Sequence, residues 1–300
     1  MKSVYAIIVS YNFNRNDWLN KCLTSLKKSS YPVNIIVVDN NSTDNSVSII
    51  KSKYPEVILF EQKENLGFAK ANNIAIRYAY DNGADFVFLL NQDAWIEKDT
   101  VAKLVEVAEQ NPDYGVISPI HLSGDYKHFD KGFLLYFNEN IEKTSNEDLY
   151  YGVKKLYTVP FVNAAAWLVS KKCIETIGGF DTLIFHHYGE DYNYSQRLQY
   201  HNLKLGIYTG CTICHDRFFR VDAPLAYEIE FFSHYGNPNY SSKRINHPIL
   251  YSLRALLKGF VKLNLGDIKS LVKETKMIMQ NKSRLLQSKK ANSSIGMNWL

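Results

Sequence analysis

Up to Pro119, short apolar runs alternate with stretches whose apolar residues recur every three or four positions. The runs Val4–Ser10, Asn34–Val38, Val57–Phe60, Phe86–Leu90 and Val116–Ser118 predict strands. They are apolar at nearly every position, as when both faces of a parallel sheet are covered. Helices are expected between them. One spans Asp17–Lys28 with Trp18, Cys22, Leu23 and Leu26 inward, and one leads from the capping residues Ser42, Thr43 and Asp44 toward Lys53. A third follows the turn Asn65–Gly67 through Tyr80 and is ended by Asn82-Gly83, and a fourth covers Thr100–Glu109. Such alternation with short links predicts a mostly parallel sheet with helices on both faces.

Beyond Pro119 the regularity fades, and residues 120–160 show no clear period. "VPFVNAAAWLVS" restores an apolar strand, and Ala164–Ala166 leave room for close approach. "IGGFD" reads as a turn, "HHYGEDYNYSQRL" leads into a helix, and "GIYTGCTICHD" gives one or two short strands. "LYSLRALLKGFVKLNL" and "DIKSLVKETKMIM" place apolar residues at helical spacing with lysines opposite. The organisation expected is one domain over 1–220, in halves 1–119 and 120–220, and a basic helical extension over 221–300.

Composition narrows the function. A hydrophobic fraction of 46% with 14% aromatic residues suits a packed core and excludes a disordered chain. The 21 tyrosines suit grooves that grip polar, ring-shaped ligands, or simply the core. The net charge of +5 is modest, and no nucleic-acid partner is expected. The charge is uneven, however: the basic residues from Arg254 to Lys290 are opposed only by Asp267 and Glu274. Helices of this kind either lie on an anionic membrane or pack on the domain with a solvated basic face. No run approaches the ~20 apolar residues that span a bilayer, and the N-terminus lacks a secretory pattern. The expected location is therefore cytoplasmic, peripheral on the inner face of the membrane if the tail binds lipid, with reduced thiols. Cys211-x-x-Cys214 with His215 invites a zinc site but lacks a second ligand pair.

Ligands of such sheets bind outside the carboxyl ends of the strands. Asp39 and Asn91-Gln92-Asp93 stand at two such ends, either as turns or as a site. The first strand is followed by "VSYNFNRNDW", with no Gly-x-Gly-x-x-Gly and no P-loop, which argues against dinucleotide and P-loop nucleotide binding. The glycine-rich basic loop of a sugar nucleotidyltransferase is missing too.

Seven pieces in order, "IIVSYN", "VVDNNSTD", "NLGFAKANN", "FLLNQD", "NAAAWLVS…GGFD", "HYGED" and "CHD", resemble the inverting family 2 glycosyltransferases and their rhamnosyltransferase-like branch. The resemblance covers about Val4 to Arg217. It implies the GT-A fold: an α/β, Rossmann-like, mostly parallel central sheet with helices on both faces, here with a C-terminal helical tail. It further implies a nucleotide-sugar-binding half and an acceptor or catalytic half.

Carried over, Ser10, Tyr11 and Asp39 hold the base and ribose, and the turn at Asn65 and Gly67 lies beside the nucleotide. Asp39 alternatively caps a helix, and Asn65 and Asn73 alternatively act as local caps. The Asp-x-Asp motif of the family falls on Asn91, Gln92 and Asp93, of which only the last is acidic. Asp93 is then the hard oxygen ligand of a divalent metal, Mg²⁺ or Mn²⁺, on the donor diphosphate. His215 completes that site or is structural. Asp191 is the general base, while Glu190 suits a helix-start charge. Apart from the resemblance, His186, His187 and Tyr188 are placed either to contact the acceptor or to pack, and Arg244 has the charge to meet a donor or lipid-linked diphosphate. The implied activity is inverting transfer from a dTDP-rhamnose or UDP-sugar type of donor to a glycan or lipid-linked acceptor in bacterial surface polysaccharide assembly. The alternative is a catalytically silent nucleotide-sugar-binding or scaffold protein.

Overall fold

The computed structural model describes residues 1–141, 155–185, 188–216, 226–259 and 264–299. The chain opens with β1 (Val4–Ser10), α1 (Trp18–Lys27), β2 (Asn34–Asp39), α2 (Ser46–Lys53), β3 (Ile58–Glu61), α3 (Gly67–Asp81) and β4 (Phe86–Leu90). Then come β5 (Ala94–Ile96), α4 (Thr100–Gln110), β6 (Tyr114–Ser123), α5 (Lys131–Ile141), β7 (Leu156–Thr158) and β8 (Ala166–Ser170). α6 (Lys171–Ile177), α7 (Glu190–Tyr200) and β9 (Lys204–His215) complete the sheet and its cover. α8 (Ala226–Gly236), α9 (Lys243–Asn246), α10 (Pro248–Gly259) and α11 (Leu265–Asn292) follow.

One sheet runs in the order β3-β2-β1-β4-β8-β6-β9-β5, with β7 on β9. The pairings set β1, β2, β3, β4, β6 and β9 in one direction and β5, β7 and β8 in the other. Alternation along each strand divides the core. Ala6, Ile8, Ile35, Val37, Phe86 and Phe88 face α1, α2 and α4. Ile7, Ile36, Val38, Val87 and Leu89 face α3, α6 and α7. Register then brings Ser10 opposite Asp39, Leu90 opposite Ala166, and His215 opposite both Ala94 and Ser123. One sheet edge thus collects the carboxyl ends of β1, β2, β4, β6 and β9 and the start of β8.

Past Pro119 the structure is more regular than the sequence pattern. β6 continues to Ser123, and Pro119, which has no N–H to give a ladder, sits at a register shift where β9 bulges. Gly206–His215 of "GIYTGCTICHD" lie in one long strand, β9, carried through that bulge, where one or two short strands were expected. β5, α5, β7 and α6 had no counterpart in the pattern reading, and the strand expected from "VPFVNAAAWLVS" is confined to Ala166–Ser170.

The C-terminal helices share a small core with the segment before α7: Phe231, Tyr235, Ile245, Ile278 and Leu285 pack with Ile184 and Phe185. α11 is anchored on Asp181, a fully buried carboxylate. Asp181 accepts Leu183 N–H at 2.9 Å, Ser288 Oγ–H at 2.5 Å and Asn292 Nδ2–H at 2.8 Å. Burial pulls the Arg197 guanidinium below the usual arginine range, and the charge of Asp181 works against that pull. Asp181→Ala is therefore expected to cost ~1–3 kcal/mol for each buried donor it strands, the Ser288 hydroxyl and the Asn292 amide. Urea unfolding checks this; a loss below ~1 kcal/mol would contradict the anchor.

Candidate active site

Asn91-Gln92-Asp93 is the tight turn between β4 and β5, closed by Ala94 N–H on Asn91 O at 3.0 Å. A turn and a site are the same object here. The reversal lets β5 pair with the end of β9, so Asp93 is brought beside His215. Asp93 Oδ1 lies 3.3 Å from His215 Nε2, and Asn91 Nδ2 lies 3.3 Å from the same nitrogen. The His215 side chain is fully buried. Nε2 thus faces both the Asn91 amide and the Asp93 carboxylate, while Nδ1 faces Asp130 Oδ2 at 3.7 Å. Asp130 is buried and also accepts Phe133 N–H at the start of α5. His121, held by Ser118 at 3.0 Å, packs edge-on against the His215 ring.

A pocket of about 300 Å³ opens above this floor, lined by Ser10, Tyr11, Arg15, Phe68, Asn91 and Asp93, among others. Gln92 also lines it but is committed: its Oε1 accepts Tyr11 N–H at 2.9 Å and its Nε2 donates to Tyr11 O at 3.2 Å. It fixes the β1 exit loop to the turn. Asp216 closes one wall, donating N–H to Asp93 O at 2.8 Å and accepting Trp18 Nε1–H at 3.0 Å.

Asp39 is buried behind Ser10, which donates to it at 3.1 Å, while Ser42 donates both its N–H and its hydroxyl. The carboxylate thus holds the β2–α2 turn. Asn65 accepts Gly67 N–H at 2.9 Å, a local turn that sets Gly67 at φ 77° in the left-handed region. Asn40 ties that turn back to β2 through Leu66 N–H and Gly67 O. Asn73 is not a local cap and is not among the residues that line the pocket. It makes two buried bonds, with the N–H and the carbonyl of Phe180, that hold "GGFD" against α3.

Asp191 stands in the first turn of α7, after Gly189 at φ 88°. A side chain there would press on the Phe185 ring. Asp191 Oδ1 accepts Tyr192 N–H at 2.8 Å and Oδ2 accepts Ala164 N–H at 3.3 Å. The adjoining Ala165 O accepts Asn91 N–H at 2.9 Å. Asp191 and the Asn91 turn therefore hang on neighbouring residues of one segment, and the small side chains of Ala164–Ala166 keep that segment close to both. Glu190, by contrast, is 5% exposed with Oε2 buried and unpartnered. Burial first, and then the Asp191 charge, push its pKa up to about 7. Its folded-state pKa lies above the ordinary carboxylate value, so its protonation stabilises the fold fully below pH ~4.5, and that stability is lost as pH rises through about 7. Glu190→Gln is expected to flatten the melting temperature over that window. Parallel profiles for variant and wild type would contradict this.

Ser10, Tyr11, Asn91, Gln92 and Asp93 line the pocket, and His215 lies beneath; Asp39, Asn65 and Gly67 stand behind it. Arg15, Phe68, Asp130 and Asp216 were missed. Arg15 was visible as the one basic residue of "VSYNFNRNDW", whereas Asp130 lies in the stretch without a period. His186 and His187 lie outside the described residues. Arg244 pairs with Glu274 at 2.5 Å in the helical extension, so its charge is already engaged there. Cys211 and Cys214 are buried free thiols on β9. Burial pushes both pKa values up to about 12, and no cluster of three metal-ligating side chains occurs among the described residues.

Residues 5–178 match the model of glycosyl transferase family 2. The chain is 28% identical over 186 residues to the dTDP-rhamnosyl transferase RfbF of Shigella flexneri, covering 62% of this chain and 60% of that protein. It thus spans less than two thirds of that relative. The S. aureus TarS 1–349 structure in complex with UDP-GlcNAc superposes with TM-score 0.57 at 13% identity, covering 98% of this chain and 89% of that one. Mannosyltransferase PcManGT from Pyrobaculum calidifontis, in complex with GDP-Man and Mn²⁺, superposes with TM-score 0.52 at 18% identity, covering 96% and 86%. These likenesses bear out the expected GT-A fold. With more than half its length inside the family model and its sheet edge built as described, the chain belongs to glycosyl transferase family 2.

Proposed function

We propose that the chain transfers a sugar from a nucleoside-diphosphate donor to a hydroxyl of a glycan or lipid-linked acceptor, inverting the anomeric centre. The carrying observation is the shared segment: Ala164 holds Asp191 while Ala165 holds the Asn91–Asp93 turn. The nucleotide lies over Ser10, Tyr11 and Phe68, with Asp39 and the Asn65–Gly67 turn shaping the wall behind. Arg15 faces the pocket with a charge suited to a diphosphate. Asp191 takes the acceptor proton as that oxygen forms its bond to the anomeric carbon and the nucleoside diphosphate leaves from the opposite face.

Asp93 and His215 fit a divalent cation. Asp93 Oδ1 and His215 Nε2 lie 3.3 Å apart, a carboxylate oxygen and an imidazole nitrogen that could hold one divalent ion together. Donor phosphate oxygens and water would complete the shell of an ion held by these two side chains. When bound, the ion offsets charge on the leaving diphosphate. The name of the Shigella relative favours a dTDP-rhamnose type of donor, and the TarS complex a UDP-sugar; surface polysaccharide assembly suits both acceptor classes. Purified protein given dTDP-, UDP- and GDP-sugars with Mn²⁺ and lipid-linked or glycan acceptors should transfer one donor type. Binding without turnover across the panel would contradict the transfer reading and favour a silent binding protein.

A further inference from the structure

α10 and α11 lie side by side and leave apolar residues in solvent where a helix pair normally closes. Leu257 is 74% exposed, Val272 61% and Leu253 52%. Ile249, Leu253 and Leu256 recur along α10 at helical spacing, and Leu271, Val272 and Met279 answer them on α11, forming the walls of a cavity of about 430 Å³. A second cavity of about 570 Å³ continues it past Leu250 and shares Ile249, Leu253 and Met279. The result is one long open groove. Exposed apolar surface of this extent marks a docking face.

Its charge selects the occupant. Lys276 and Lys282 line the groove together with His247, and no carboxylate does. Both acids of α11 are engaged elsewhere: Asp267 accepts Asn264 N–H at 3.0 Å in the capping box, and Glu274 binds Arg244 and Tyr235. A second copy would set lysines against lysines with no acid to offset them. A neutral partner would leave the basic rim unused. We infer that the α10–α11 face docks on an anionic bilayer surface, with the apolar stripe in the headgroup boundary and the lysines on lipid phosphates. The mode is lying on, not spanning: among the described residues no helix is long and apolar enough to cross a membrane. This inference is independent of the glycosyl-transfer reading, and neither fails with the other.

The test is flotation of the full chain with phosphatidylcholine vesicles, with and without phosphatidylglycerol. Wild type should float at least about fivefold more with the anionic vesicles, the gain of roughly one basic contact, and less as salt rises. Leu253→Asp with Val272→Asp should lose the binding at an unchanged urea midpoint, because both side chains are exposed. Lys276→Glu should reduce the preference for anionic lipid. Equal flotation with both vesicle types would overturn the inference. So would a concentration-dependent dimer, lost in the Leu253→Asp/Val272→Asp variant, without vesicle binding; the groove would then hold a second copy.

Discussion

Asp191→Asn should bind nucleotide sugar almost normally yet transfer it ~10²–10⁴-fold more slowly, the usual loss with a general base. The substitution keeps the shape of the side chain and an oxygen able to accept Ala164 N–H or Tyr192 N–H. It removes the basicity that takes the acceptor proton. Donor contacts lie on the β1 loop and the Asn91–Asp93 turn, so donor affinity should survive. A merely structural role would show differently. Losing a helix-start interaction costs ~0.5–2 kcal/mol of stability, which lowers the urea midpoint without a selective loss of turnover. Single-turnover transfer and donor affinity, measured side by side, separate the two. Near wild-type transfer by Asp191→Asn would mean that the proton goes elsewhere.

Asp93→Ala should lower activity by about a hundredfold or more, the scale of losing a main stabiliser of developing charge, and should abolish any response to Mg²⁺ or Mn²⁺. The reason is the reduced motif. Asn91 and Gln92 offer no second carboxylate, and Gln92 is held by Tyr11. Wild-type donor binding should weaken in EDTA and return when metal is added. His215→Ala should need more metal for the same activity while keeping some response, because Asp93 remains. Full wild-type activity in chelator would contradict the metal assignment while leaving the pocket and Asp191 in place.

The parallel half was legible because both of its faces are buried, so whole strands such as Ile35–Val38 and Phe86–Leu90 read as apolar blocks. β5 was hidden by its size: three residues carry no period, and Ala94–Ile96 is a strand only because β9 pairs with it. Pro119 looked like a stop because proline breaks a ladder, yet a bulge in β9 absorbs it. Among site residues, those at strand ends were visible. Asp130 was not, because it reaches His215 through the start of α5. Gln92 looked like a ligand contact, and only tertiary geometry shows it clamping the backbone of Tyr11. Asn73, five residues from the end of "NLGF", serves the distant Phe180 turn, a long-range tie that no local spacing announces.

The central claim is tested most directly by measuring the release of nucleoside diphosphate from dTDP-, UDP- and GDP-sugars by wild type and by Asp191→Asn, with Mn²⁺ present. The account predicts that one donor type is consumed by wild type and survives in the variant, which still binds it. Donors left intact by wild type, or consumed equally fast by both proteins, would contradict it.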